Sequence, residues 1–112
     1  MLAKPNRVVR ADDFRMTMRR GRRVSAEFAV VYLADRVEQG PARFGFVISK
    51  AVGGSVVRNR LRRRLRAIGR EMVDSGVSGS DIVVRALPGC ASLDWTTLHH
   101  EISVAIEKGT SR

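Results

Sequence analysis

One segment narrows what this chain can become: Val-Val-Arg-Asn-Arg-Leu-Arg-Arg-Arg-Leu-Arg-Ala-Ile-Gly-Arg, residues 56–70. At about 100° per residue, with Arg58 at zero, Val57, Leu61, Leu65, Ile68 and Met72 fall between about 260° and 340°. Arg58, Arg60, Arg62, Arg63, Arg64, Arg66 and Arg70 take the remaining arc, from about 0° to 240°. A helix of this pattern buries one narrow stripe and presents guanidinium everywhere else. It also opposes itself. The like-charged pairs 58–62, 62–66, 66–70 and 60–64 each cost about 0.2–0.5 kcal/mol, roughly 1–2 kcal/mol together. No acid stands between Lys50 and Arg70 to offset that repulsion. A polyanion would.

The rest of the charge supports the same reading. The chain carries 21 Lys and Arg against 11 Asp and Glu, a net +10, and only Lys4, Lys50 and Lys108 are lysines. Arginine's planar fork matches phosphate and stacks on bases, which favours nucleic acid over an acidic membrane or protein. Residues 1–23 are net +6 and residues 50–70 net +8, whereas 24–49 and 71–112 are net −1 and −3. The excess forms two blocks, so the basic surface is localised.

With 112 residues, 44% of them hydrophobic, the sequence predicts one domain over residues 1–112. About five N-terminal and four C-terminal residues are expected to be flexible. A first helix is expected over residues 11–20, with Asp12 and Asp13 at its start and Gly21 at its stop. Strands are expected at 28–33, 44–48 and 81–87, with a short extra one at 23–26 and a turn at 38–41. Gly53-Gly54-Ser55 opens the basic helix, which runs to about Val73. Ser55 suits an N-cap, the favoured reading; the alternative is that exposed amides there hold a phosphate beside Lys50. A last helix over 92–108 carries Trp95, Leu98, Ile102 and Ile106 at core spacing. The result is a single sheet with helices packed on it.

Catalytic constellations are not evident. His99 and His100 are adjacent, so on a helix they point about 100° apart and grip one metal poorly. The nucleotide-hydrolase pattern G-x-x-x-x-G-K-[ST] is absent. Cys90 is the only cysteine, which excludes an internal disulfide and a thiolate cluster. The chain lacks a secretory apolar stretch, and its longest apolar run, 28–34, is too short for a bilayer, so a cytoplasmic location is expected. Phe28, Val30 and Tyr32 are expected on one strand face, and Phe44, Phe46 and Ile48 on a face of the next.

Ser49-Lys-Ala-Val-Gly53, Val56-Val-Arg-Asn-Arg60, Arg62-Arg63 and Leu65-Arg66 together resemble the signature of the bacterial ribonuclease P protein subunit. Asn6-Arg7, Asp13-Phe14, Gly21, Phe28, Tyr32 and Gly45 extend the match. The resemblance implies an α+β sandwich in αβββαβα order, with a left-handed strand–helix–strand crossover. It implies a protein that assists a catalytic RNA in removing 5′ leaders from precursor tRNA, the RNA and its Mg²⁺ carrying the hydrolysis. The catalytic RNA would be held by Lys50, Arg58, Asn59, Arg60, Arg62, Arg63 and Arg66. Phe14, Met18 and Tyr32 would line a cleft for the leader.

Three other readings carry their own discriminators. A ribosome-associated RNA binder would copurify with ribosomes. A DNA-binding regulator would prefer a duplex sequence, although no helix-turn-helix spacing or dimer seam is visible. A stand-alone nuclease would cleave precursor tRNA without RNA.

Overall fold

A computed structural model of the chain describes residues 2–8, 10–36 and 40–110. The order is α1 (Ala11–Arg20), β1 (Arg22–Ser25), β2 (Ala29–Asp35), β3 (Arg43–Val47), α2 (Ser55–Asp74), β4 (Ser80–Ala86) and α3 (Trp95–Thr110). This is the expected αβββαβα order. Short 3-10 turns at Lys4–Asn6, Lys50–Val52 and Cys90–Ser92 precede α1, α2 and α3. Residues 38 and 39 of the expected turn at 38–41 fall outside the described residues.

The four strands form one mixed sheet in the order β1-β2-β4-β3. β1–β2 and β2–β4 pair antiparallel, while β3 and β4 pair parallel through the α2 crossover. Alternation along the strands gives the sheet two apolar faces. Ala29, Val31 and Leu33 of β2, Ile82 and Val84 of β4 and Phe44 of β3 build the first, under α2 and α3. Leu61, Leu65, Ile68 and Met72 of α2 are buried there, as their angular positions require. The second face is smaller: Val30, Tyr32 and Val83, with Phe14 and Met18 of α1 packed on them.

Several expectations need correction. Phe28 precedes β2 and packs with the first face, so it does not share the side of Val30 and Tyr32. Val57 lies in the apolar arc yet is 42% exposed, because the first turn of α2 overhangs the sheet. Trp95 is 41% exposed, whereas Leu98, Ile102 and Ile106 are buried, since α3 meets the sheet only after its first turn. Near the start of the chain Leu2 is buried in the core beside Phe44 and Gly69. At the other end α3 continues through Thr110.

Candidate nucleic-acid interface

Helix α2 divides its arginines among three surroundings. On one flank Arg62 and Arg66 line a recess of about 120 Å³ together with Arg7, Val8, Phe14, Phe44, Gly45 and Phe46. Arg7 Nε is buried there with no hydrogen-bond partner among the described residues. On the opposite flank Arg64 Nη1 donates to the Leu93 carbonyl at 3.0 Å, tying α2 to the loop before α3. Between the flanks Arg60 and Arg63 are exposed, with no hydrogen bond or ion pair among the described residues. Arg70, further along, pairs with Asp74 at 3.2 Å.

The sequence-predicted contacts therefore are not equivalent. Arg58 Nε donates to the Gly53 carbonyl at 3.1 Å and so helps fix the entry to its own helix. Asn59 Oδ1 accepts from Arg62 Nη1 at 3.0 Å, which orients that guanidinium. Lys50 is exposed on the turn ahead of α2. Ser55 is the first helical residue; the cap position belongs to Gly54, and no side chain caps it.

The second sheet face holds the other predicted residues. Strand register places Arg23, Tyr32, Val83 and Gly45 in one row, and Ser25, Val30, Arg85 and Val47 in the next. Phe14 lies directly on the backbone of Gly45: a Cβ at that position would stand 2.5 Å from Phe14 Cε1. Met18 follows one turn later, so both α1 side chains meet Tyr32 in one cluster. Tyr32 is only 8% exposed and forms a floor, while Phe14 and Met18 are half-buried walls. Arg23, on the edge strand, and Arg85, within the second row, put exposed positive charge on this face.

An ion cluster anchors this face, and sequence reasoning missed it. Arg43 grips the buried Asp81 with both arms of its fork, Nε to Oδ1 at 2.8 Å and Nη2 to Oδ2 at 2.6 Å. Arg36 approaches the same carboxylate at 3.6 Å, and Arg43 also reaches Asp13 of α1 at 3.7 Å. Losing one member of such a partly buried cluster strands a charge. The only sequence signal was opposite charge at the starts of two strands; the β3–β4 register brings them together. Asp12, by contrast, pairs with Arg15 on its own helix.

Other titratable groups are engaged in structure. His99 Nε2 lies 2.9 Å from Glu71 Oε2, joining α3 to α2. The Asp94 carboxylate accepts the Thr97 N–H at 2.8 Å, and that bond holds it below the usual carboxylate range. Burial, with Glu101 adding to it, pushes the Cys90 thiol up to about 11, so it is protonated at neutral pH. Among the described residues, no three His, Cys, Asp or Glu side chains converge in a way that could hold an ion. No helix among them is long and apolar enough to cross a membrane.

Comparison with known proteins points one way. Residues 2–109 match the family model described as ribonuclease P. The ribonuclease P protein component of Clavibacter michiganensis is 44% identical over 108 residues, covering 96% of each chain. That of Rhodococcus opacus is 44% identical over 112 residues, covering 95% of this chain and 90% of its own. Among solved structures, a Staphylococcus aureus RNase P protein mutant superposes with a TM-score of 0.88 at 23% identity, over 96% of this chain and 90% of that one. The Thermotoga maritima RNase P protein does so at 0.81 and 24%, over 91% and 96%. These two likenesses establish the fold.

Proposed function

Because this chain belongs to the ribonuclease P protein family, the protein component of a tRNA-processing ribonucleoprotein, we propose that it grips the catalytic RNA through α2 and the 5′ leader of precursor tRNA through the second sheet face. In this reading the RNA subunit holds Mg²⁺ and carries phosphodiester hydrolysis, in the cytoplasm, and the protein contributes charge and position. Its partners are the catalytic RNA and precursor tRNA, not DNA or a membrane.

One observation carries the proposal. Phe14 belongs to two sites at once: it packs in the Tyr32 cluster and lines the recess bounded by Arg62 and Arg66. A single strand lying across Tyr32, Phe14 and Met18 leads directly onto the arginine helix. Flat rings beside guanidinium suit unpaired nucleotides, whose bases stack while their phosphates are neutralised. Arg60, Arg63, Arg62 and Arg66 supply the phosphate contacts, Asn59 orients Arg62, and Lys50 and Arg58 extend the contact to the start of the helix. No group of the protein is required to move a proton in the cleavage step.

Reconstitution with the catalytic RNA tests this. At low Mg²⁺ the holoenzyme should remove the leader from precursor tRNA faster than the RNA alone. Equal rates with and without protein, or cleavage by the protein alone, would contradict the proposal.

A further inference from the structure

The proposed function leaves one prominent side chain unused. Trp95 opens α3 as a residue 41% exposed, its ring tilted against the His99 imidazole at a centroid distance of 5.6 Å. Its place relative to α2 follows from two bonds. Arg64 reaches Leu93 just before α3, and Glu71 meets His99 one turn into it. Residues 64, 67 and 71 share a stripe of α2, so Ala67 lies on the side of α2 that meets the start of α3. Arg60 lies on the same stripe one turn before Arg64, and Arg63 beside it, both exposed and without a hydrogen bond or ion pair among the described residues.

The acids nearby are already committed. Glu71 lies against His99, and Asp94 accepts the Thr97 N–H with Arg64 as its neighbouring cation. What remains is a part-exposed indole at the start of α3, next to a helix whose Arg60 and Arg63 have no hydrogen bond or ion pair among the described residues. That pairing suits a nucleobase whose own phosphates are held by arginine. A protein partner would have to present acids to this same arginine surface.

We infer that Trp95 is a stacking platform for an unpaired base of the catalytic RNA, extending the α2 contact across to the start of α3. The inference rests on the reading of α2 as an RNA-binding face, and the test separates the two. Trp95 is the only tryptophan, so its emission reports this site alone. Titrating the full chain with a bacterial ribonuclease P RNA transcript should quench Trp95 and shield it from acrylamide. Trp95→Leu should weaken binding about tenfold, within the range for one stacked base. Its salt slope should be unchanged, because no phosphate contact is lost, and Trp95→Phe should recover most of the affinity. Binding with a full salt slope but unaltered emission and acrylamide access would overturn the inference and leave the RNA reading of α2 standing. An emission change that follows protein concentration without RNA would overturn it too, assigning the ring to self-association. Absence of RNA binding altogether would remove the premise and the inference together.

Discussion

In the proposed function, the arginine face of α2 and the aromatic floor beneath α1 recognise the same kind of molecule by different physics. α2 is convex, its outward arginines exposed, and it acts through charge that salt screens. The second sheet face centres on an apolar cluster, with Tyr32 nearly covered and Phe14 set tightly on Gly45. It acts over contact distance and depends on packing. Affinity carried by α2 should therefore vary with ionic strength and tolerate local changes. Discrimination carried by the cleft should ignore salt and fail on sub-ångström displacement.

The strongest way to break that comparison is to remove two outward charges of α2 and one that lines the recess. Arg60→Ala, Arg63→Ala and Arg66→Ala together should flatten the salt dependence of catalytic-RNA binding by about two units, at roughly 0.7–0.9 per phosphate. Affinity should drop at least about a hundredfold, some 3 kcal/mol. Thermal stability should hold or rise, since like-charge repulsion within α2 is relieved. Filter binding across a salt series checks this; an unchanged slope would place these side chains outside the RNA footprint.

Gly45→Ala attacks the other region. The new methyl would overlap the Phe14 ring, so α1 must shift, costing about 1–3 kcal/mol as an overpacking change. Precursor tRNA binding should weaken while the salt slope for catalytic RNA stays put. Denaturant melts beside binding isotherms separate the two effects.

Arg58→Ala gives the smallest of these effects and sharpens the division within α2 itself. It removes the bond to the Gly53 carbonyl, so it should lower stability by about 1 kcal/mol as well as weaken RNA binding. Arg60→Ala should weaken binding with no stability loss. Equal melting curves for the two variants would mean that the Gly53 contact contributes nothing.

The two regions also differ in how far the sequence disclosed them. A 100° wheel sufficed for α2, because helical neighbours are sequence neighbours: Leu61, Leu65, Ile68 and Met72 are buried as placed. The wheel could not see where the helix ends overhang, so Val57 and Trp95 were assigned to the core and are exposed. Nor could it show that Arg58 binds the Gly53 carbonyl at the entry to its own helix and Arg64 the Leu93 carbonyl of the loop before α3. The second face depends on strand order and register, which pair residues far apart in sequence. Tyr32 beside Val83, Phe14 over Gly45 and Arg43 with Asp81 are legible only once β4 lies between β2 and β3. Resemblance to a family named Phe14, Met18 and Tyr32; geometry alone brings them into one cluster.

The division of labour is tested most directly by the ratio of precursor to mature tRNA affinity in holoenzyme carrying Phe14→Leu. Mature tRNA has no leader, so the ratio isolates the cleft. The account predicts a fall of about tenfold, the worth of one stacked base, with catalytic-RNA affinity and its salt slope unchanged. A preserved ratio in a folded, assembled holoenzyme, or parallel loss of ratio and catalytic-RNA affinity, would contradict it.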